Sequence, residues 1–477
     1  MGKDTKNAEL VFIPTPGAGH LTSTIEVAKL ITDLDSRFSA TILIMRLPGE
    51  SKKPVPDFGN PRLRFLELRK EENQPSPEGP HFVKMFQIIE DHKPHVREVL
   101  AGISSSGSSR LAGIVIDMFC TSVMEVAKEI GVPSYLFFTT GAGILGQFFY
   151  LQSLRDDFKV DITKFHNSDE ELPIPTYKNP VPAKVLPSGY FEKGGADVFL
   201  DLAKMFRETN GIMINTFQEL EPHAIQALLE DKNVPPVYPI GPLLNIGVTS
   251  KNNESDEIMN FLNHQPDASV IFLCFGSKGS FSDEQVMQIA YALQNSGCRF
   301  LWSLRKPAPK DAAGFLPGDY DNLDEVLPEG FLTRTAAVGK VIGWAPQATV
   351  LAHPAVGGFV SHCGWNSTLE SIWFGVPTAS WPQYAEQQTN AFFLVKEAEL
   401  AVEIKIDYVK SVGTESTEIV SAEVIENGIR KLMADGEENR IRKNVKEMQR
   451  KSRMVRDGSS SVSLQRFLDT ALDNISS

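Results

Sequence analysis

The chain has 477 residues, a length that exceeds a single hydrophobic core and predicts two or three domains. Apolar residues make up 42% and charged residues 22%, as in ordinary globular proteins, while the net charge of −13 argues against nucleic-acid and anionic-membrane partners. The four cysteines are widely spaced without a CxxC motif, and the N-terminus lacks the apolar core of a signal peptide, so we expect a cytoplasmic protein.

The first half of the chain alternates short apolar runs with helical patterns. Strands are predicted at 10–14, 40–45, 111–116, 133–138, 211–215 and 237–240, with helices at 22–34, 82–100, 120–130 and 142–154. This alternation predicts a parallel sheet with helices on both faces. The apolar region 135–151 is interrupted by Thr and Gly, so it is interpreted as a strand and a helix rather than a membrane span.

Segments rich in proline and polar residues separate these elements. The range 48–80 is predicted to form loops, and 156–187 a mobile lip. The composition changes at 241–256, where Gly, Pro, Asn and Ser occur without periodicity, which is typical of an interdomain linker.

The second half repeats the pattern of the first. A strand at 269–274 is followed by a glycine-containing loop, a helix that begins at Ser282 with Gln285 in capping-box spacing, and a strand at 299–304. The segments FIPTPGAGH and FLCFGSKGS occupy equivalent places. The simplest architecture is therefore two similar α/β domains that face each other across a cleft.

The strongest functional signal lies between Trp344 and Gln387. Within it, GGFVS is typical of a buried strand, and the helix that follows has Asn366 or Ser367 as its expected N-cap. A helix N-terminus preceded by Gly364 favours a phosphate, because its backbone N–H groups are unpaired and a ligand can approach closely.

The side chains around this helix start complete the pattern of a nucleotide-diphosphate site. His362 adds a hydrogen-bond donor and Ser367 a hydroxyl, while Glu370 can accept from ribose hydroxyls. Trp344 offers a flat face on which a base can stack.

This stretch resembles the signature box of the plant secondary-product UDP-glycosyltransferases, family 1 enzymes of the GT-B fold with two Rossmann-like parallel-sheet domains. The resemblance implies that the base is bound by Trp344, Ala345 and Gln347. It implies that the pyrophosphate is held by His362, Gly364, Asn366 and Ser367, and the ribose by Glu370. The sugar hydroxyls would be bound by Trp365, Glu386 and Gln387. The box of the family usually ends Asp-Gln, whereas this chain has Glu386-Gln387.

The corresponding domains are an N-terminal acceptor-binding domain over 1–240, the linker, and a C-terminal UDP-sugar-binding domain over 257–456. The resemblance implies that a last helix, within 457–477, crosses back onto the first domain.

His20 and Asp117 are the candidate catalytic pair. His20 ends the loop after the first strand and Asp117 ends a later parallel strand, so both side chains are expected at the same sheet edge. A nearby helix N-terminus disfavours the imidazolium, and Asp117 can fix the ring tautomer and balance the charge formed on proton uptake. The family's catalytic His and activating Asp match these two residues, although Ser23 stands where many members have Pro.

The reaction implied is an inverting transfer from UDP-glucose to an acceptor hydroxyl. UDP is a good leaving group, because the second ionisation of a phosphate lies near pH ~6. Ser277 and Ser280 are expected to stabilise the departing charge, and Thr139 and Tyr384 complete the expected donor set. No metal and no cofactor are expected, since helix N-termini can carry the phosphate charge.

The acceptor is the least defined part of the prediction. The first half is rich in Phe, which suggests a flat aromatic or terpenoid acceptor, and the family implies flavonoids, other phenolics or terpenoids. The candidate acceptor-binding residues are Phe119, Phe148, Phe191 and Phe199. Core packing explains these rings equally well. We expect a monomer.

Three other motifs have simpler interpretations. Asp319 and Asp321 form a DxD pattern in a loop with no preceding strand, and the basic run 440–456 has the spacing of an exposed helix face. The range 17–22 holds half of a dinucleotide-binding motif, but Thr22 replaces its third glycine. An NADP-dependent oxidoreductase and a non-catalytic nucleotide-sugar-binding protein remain the alternatives.

Overall fold

A computed structural model describes residues 7–46, 59–68, 81–106, 109–192, 194–244, 253–308, 316–409, 418–434 and 440–476. The predicted loops over 48–80 and the predicted linker over 241–256 lie partly outside these described residues. None of the described helices combines the length and the apolar composition that a membrane-spanning segment requires.

The described strands are β1 Asn7–Ile13, β2 Phe38–Ile44, β3 Leu63–Glu67, β4 Ser109–Asp117, β5 Ser134–Phe138, β6 Glu171–Leu172, β7 Val181–Pro182, β8 Ile212–Ile214, β9 Val237–Pro239, β10 Val270–Cys274, β11 Arg299–Ser303, β12 Gly339–Ile342, β13 Val356–Ser361, β14 Thr378–Ser380 and β15 Ala401–Glu403.

The described α-helices are α1 Ala18–Leu34, α2 His81–Ser106, α3 Met124–Ile130, α4 Ala142–Asp156, α5 Gly195–Phe206, α6 Pro222–Glu230, α7 Asn253–Asn263, α8 Asp283–Ser296, α9 Phe331–Thr335, α10 Gln347–Leu351, α11 Trp365–Phe374, α12 Gln387–Phe392, α13 Ala422–Met433, α14 Arg440–Met454 and α15 Ser459–Ser476. Short 3₁₀ turns lie at Thr121–Val123, Ile162–Phe165, Ala183–Val185, Ser188–Phe191 and Leu323–Glu325, and a π-helical turn at Phe393–Glu397.

Two parallel sheets organise the chain. One has the order β3-β2-β1-β4-β5-β8-β9 and the other β12-β11-β10-β13-β14-β15, and every strand pair in both is parallel. The central strands are continuous apolar runs, as β2 and β10 show by being buried along their whole length. Strands buried on both faces have this composition when helices cover the sheet on each side. The fold is therefore two Rossmann-like α/β units.

The first unit comprises residues 1–157, 198–245 and 455–477. Its apolar core lies on both faces of the seven-stranded sheet. Helix α15 contributes Phe467, which packs edge-on against Tyr135 and Tyr238 at 4.9 and 5.5 Å between ring centroids. The amide of Asn474 also donates to the Tyr135 hydroxyl at 2.8 Å.

The second unit comprises residues 158–197 and 246–454. Residues 158–197 were predicted to belong to the N-terminal domain, whereas in the structure this range packs with the second unit. The Thr389 hydroxyl donates to the Val185 carbonyl at 2.7 Å, and Tyr177 lies edge-on to Phe392. The Glu397 carboxylate accepts from the backbone N–H groups of residues 178 and 179 at 3.1 and 2.8 Å.

Two local differences from the sequence prediction have physical causes. Strand β3 lies at the edge of the sheet and is largely exposed, so its sequence lacks the buried apolar run that marked the other strands. Helix α1 begins at Ala18 rather than at residue 22, because Gly17, with φ of 137°, makes the turn in one residue. His20 therefore lies in the first turn of α1 and not at the end of the preceding loop.

Candidate active site

The pairing of β1 with β4 determines the position of the first cluster of polar side chains. Ile13 lies opposite Ile116, so the chain leaves both strands at the same edge of the sheet. His20 Nδ1 is 2.8 Å from Asp117 Oδ2, and the Asp117 side chain is fully buried while that of His20 is 30% exposed. With Nδ1–H donated to the carboxylate, Nε2 is the proton-accepting nitrogen of the ring. This arrangement suits a general base.

Thr15 belongs to the same cluster, and the sequence analysis missed it. Its hydroxyl lies 2.5 Å from Asp117 Oδ1, and its side chain is 2% exposed. The backbone N–H of Phe119 also approaches this oxygen, at 3.4 Å. The signal for Thr15 in the sequence was its position, two residues after the first strand and two residues before the turn at Gly17.

Aromatic rings lie next to His20. The ring of Phe119 is edge-on to the imidazole at 5.8 Å, and Phe86 and Phe199 lie 6.2 and 6.4 Å from Phe119. Phe148 continues the cluster at 6.3 Å from Phe199. Three of the four predicted acceptor-binding residues therefore belong to one cluster of rings, of which Phe119 contacts the histidine.

Phe191, the fourth of these residues, belongs to the second unit. It stacks on His166 with 5.1 Å between ring centroids.

The loop between β5 and α4 carries Thr139, which is half-buried at the carboxyl end of β5. A carboxylate that sequence reasoning missed fixes this loop. Glu221 accepts from the backbone N–H groups of Ala142 and Gly143 at 2.9 and 2.8 Å, and burial raises its pKa. The N-terminus of α4 is thus capped from within the protein.

In the second unit, β10 and β13 pair so that Cys274 lies opposite Ser361, and the loops that follow them are neighbours. His362 lies between two glycines of these loops. A Cβ atom added to Gly276 or Gly364 would be 2.6 or 2.7 Å from His362 Nε2, so both positions require glycine. Burial lowers the pKa of His362 to about 4, and the ring is neutral at pH 7. It can donate a hydrogen bond to a phosphate without carrying a charge.

Helix α11 begins two or three residues earlier than predicted. Its N-cap is Gly364, with no side-chain cap, so the assignment of Asn366 or Ser367 as N-cap is wrong. The left-handed conformation of Cys363, with φ of 62°, turns the chain into the helix before a side-chain cap is needed. The first intrahelical bond in this turn runs from the Thr368 N–H to the Gly364 carbonyl. The N-terminus of α11 thus follows Gly364 directly, and a helix N-terminus favours an anion such as a phosphate.

Three residues of the predicted donor set are linked by hydrogen bonds. Gln347 Nε2 donates to Ser367 Oγ at 2.8 Å and to Glu370 Oε2 at 2.7 Å. Burial raises the pKa of Glu370 to about 7, and the Gln347 amide opposes this shift only in part. Trp344 is 45% exposed at the start of this segment, so its indole face is open, while Ala345 is buried.

The end of the box is built around Gln387. Its Oε1 accepts from the backbone N–H groups of Gln383 and Tyr384 at 3.0 and 3.2 Å, which leaves its amide N–H₂ as the donor end. Glu386 is half-buried as the N-cap of α12, and burial raises the pKa of Tyr384 to about 12.

Trp365 is buried, and its indole packs near Phe393 at 6.3 Å.

The loop after β10 supplies the two predicted serines. Ser277 is exposed and Ser280 is buried, and Gly276 at φ of 75° turns the chain between them and the strand. The helix that follows begins as predicted, since the Ser282 hydroxyl accepts from the Gln285 N–H at 3.4 Å. The Gln285 side chain does not close the capping box. Instead it bonds both backbone groups of Val420.

The DxD pattern at Asp319 and the basic run 440–456 both contain residues that pair with other groups of the second unit. Asp319 pairs with Arg305 at 3.0 Å, and within the described ranges no group of three or more His, Cys, Asp or Glu side chains could hold a metal ion. In α14, Arg442 donates to the backbone carbonyls of Gly357 and Leu432 at 2.8 and 2.9 Å, so part of the basic run joins elements of the second unit.

Comparison with known proteins gives one consistent family. Residues 214–439 match the sequence model of the UDP-glucoronosyl and UDP-glucosyl transferases. UDP-glycosyltransferase 71E1 of Stevia rebaudiana is 52% identical over 97% of this chain and 98% of the relative. The UDP-glucose flavonoid 3-O-glucosyltransferase 6 of Fragaria ananassa is 51% identical, again over 97% of this chain and 98% of its own length.

Solved structures agree in fold. A UGT transferase from Siraitia grosvenorii in complex with UDP has a TM-score of 0.87 and 46% identity, and covers 98% of this chain and 100% of that one. A Medicago truncatula UGT complexed with UDP-glucose has a TM-score of 0.84 and 39% identity, with coverage of 98% and 99%.

Proposed function

This chain belongs to the plant family 1 UDP-glycosyltransferases, and from that premise we propose that it is an inverting O-glucosyltransferase that uses UDP-glucose. The acceptor is a small lipophilic molecule with a hydroxyl group, of the flavonoid, other phenolic or terpenoid class. Among these classes, the observations favour an aromatic acceptor.

The observation that carries the proposal is the pairing of His20 with Asp117 beside the aromatic cluster. The acceptor hydroxyl gives its proton to His20 Nε2 while its oxygen attacks the anomeric carbon of glucose. The bond from that carbon to UDP breaks on the opposite face, so the configuration inverts. Asp117 balances the positive charge that forms on the imidazole.

The second unit supports the choice of donor. Trp344, which is 45% exposed, suits the base of UDP, and the ionisable Glu370 suits the ribose. The neutral His362 and the N-terminus of α11 suit the pyrophosphate. Gln387 presents an amide donor for sugar hydroxyls. We propose that Thr139, Ser277, Ser280, Tyr384 and Glu386 complete the donor site. Neutral donors and helix N–H groups make a metal ion unnecessary in this proposal.

The aromatic cluster supports the class of acceptor. Phe86, Phe119 and Phe199 are only partly buried, so the cluster presents aromatic surface on which a flat ring system next to His20 can pack. The printed names of two Fragaria relatives specify flavonoids as acceptors. All four cysteines are free thiols, which supports a reducing, cytoplasmic setting.

The test is a transfer assay on the purified chain with UDP-glucose and a panel of flavonols, simple phenols and terpenoid alcohols. We expect glucosides with the β configuration from the α-linked donor, formed equally well with excess chelator. His20→Ala should reduce kcat about 10²–10⁴-fold, as expected for loss of a general base, and leave UDP binding intact.

Three results would contradict the proposal. They are products of retained configuration, a clear preference for UDP-galactose, and activity that a chelator removes and magnesium or manganese restores.

A further inference from the structure

Thr15 is buried against the catalytic pair without reaching the surface. It follows β1 by two residues, and its side chain is 2% exposed. Its Oγ1 lies 2.5 Å from Asp117 Oδ1. An ionised carboxylate has only acceptor atoms, so the hydroxyl is the donor in this bond.

The two carboxylate oxygens of Asp117 have different partners. Oδ1 accepts from Thr15, with a longer approach from the Phe119 N–H at 3.4 Å, and Oδ2 pairs with His20 Nδ1 at 2.8 Å. Rotation about the last bond of an aspartate side chain is soft, with no sharply preferred angle. A strong bond to one oxygen therefore sets the orientation in which the other oxygen meets the imidazole.

The surroundings of the Thr15 hydroxyl leave it little choice of partner. Its other near contact is Cys120 Sγ at 3.7 Å. Burial and the charge of Asp117 hold the pKa of this thiol well above its usual range, so the sulfur stays neutral. A thiol is a weak hydrogen-bonding group, and the carboxylate is the stronger acceptor.

We propose that Thr15 is a positioning residue for glucosyl transfer, whose hydroxyl orients the Asp117 carboxylate so that Oδ2 engages His20. This inference rests on the proposed role of His20 as general base. Thr15 does not touch the reacting atoms. The proton passes from the acceptor to His20 as the new glycosidic bond forms and the bond to UDP breaks, and Thr15 acts only through Asp117.

The test compares Thr15→Val, which keeps the shape and removes the hydroxyl, with Thr15→Ser, which keeps the hydroxyl and removes a methyl group. We expect kcat to fall about 10–100-fold in Thr15→Val, by analogy with the loss of a hydrogen-bonding partner that orients a metal-ligating histidine. The KM for UDP-glucose should not change, and Thr15→Ser should stay within about threefold of the wild type.

A second measurement does not depend on the reaction. The pKa of His20 can be followed by NMR in the protein without substrates, with the signal assigned from His20→Ala. In Thr15→Val, the Asp117 carboxylate is no longer oriented by the hydroxyl and is hydrogen-bonded to the imidazole for a smaller fraction of the time. The pKa of His20 should therefore fall relative to the wild type and to Thr15→Ser. If this shift occurs in a protein that does not transfer glucose, the positioning role stands and the proposed reaction fails.

Thr32→Val is the matched control for loss of a buried threonine hydroxyl. Thr32 is fully buried and donates to the Ala28 carbonyl at 3.1 Å within α1. The Thr32→Val protein should be less stable than the wild type but should have the same kcat.

Two outcomes would overturn the inference. One is a His20 pKa that is unchanged or raised in Thr15→Val. The other is a Thr15→Ser protein as slow as Thr15→Val, which would assign the effect to packing of the methyl group.

Discussion

The pKa of Glu370 makes donor binding depend on pH in a predictable way. Burial raises this pKa to about 7 in the free protein. If ribose hydroxyls donate to the carboxylate, UDP-glucose binds the ionised form and its affinity follows the ionised fraction. A group with this pKa is about 9% ionised at pH 6 and about 91% at pH 8. The affinity should therefore rise about tenfold over this interval, equivalent to about 1.4 kcal/mol.

Other titrations do not obscure this signal. Each of the two phosphates of UDP-glucose carries one ester and one anhydride bond, so neither has the ionisation near pH ~6 of a phosphate monoester. Burial lowers the pKa of His362 to about 4, so it stays neutral throughout.

Isothermal titration calorimetry of UDP-glucose at pH 6, 7 and 8, without acceptor, measures the effect. Glu370→Gln, which is nearly isosteric and cannot ionise, serves as the control. Its affinity at pH 8 should be lower than that of the wild type, and it should not vary with pH. A wild-type affinity that is constant from pH 6 to 8, or the same slope in Glu370→Gln, would refute the reasoning.

Two further substitutions separate the catalytic pair from the donor site. Asp117→Asn keeps the size of the side chain but cannot balance an imidazolium, so kcat and kcat/KM should fall together by about 10–10³ with donor KM little changed. The deficit should shrink across a series of increasingly acidic phenols, and wild-type kcat on a weakly acidic alcohol would refute this role. Trp344→Ala should weaken UDP binding about ten- to a hundredfold, because stacking on a base contributes roughly 1–3 kcal/mol. Unchanged UDP affinity by calorimetry would remove Trp344 from the site.

The sequence predicted the site best where the topology fixes positions. The carboxyl ends of adjacent parallel strands meet at one edge, and this alone brings Asp117 to the loop that follows β1. The hydrogen bond between Thr15 and Asp117 joins residues 102 positions apart, and no periodic pattern in the sequence predicts it. The cap that Glu221 provides for α4 is of the same kind.

The first residues of helices were harder to predict than the topology of the sheets. The polar residues after Gly364 and the glycines around residue 18 suggested later helix starts. Backbone turns at Cys363 and Gly17 begin both helices earlier. Residues 158–197 belong to the second unit because of tertiary contacts such as those with Thr389 and Glu397. Such contacts cannot be predicted from the local composition of the sequence.

The course of the chain constrains how relatives can be recombined. A chimaera cut at the linker 241–256 would carry 158–197 with the first half of one parent. It would separate this range from the Thr389 hydroxyl, the Phe392 ring and the Glu397 carboxylate against which it packs. The unit of exchange that respects these contacts is 158–197 together with 246–454, inserted as two pieces. With the donor site in the second unit, as proposed, donor preference is better transplanted with this paired fragment than with a simple C-terminal half.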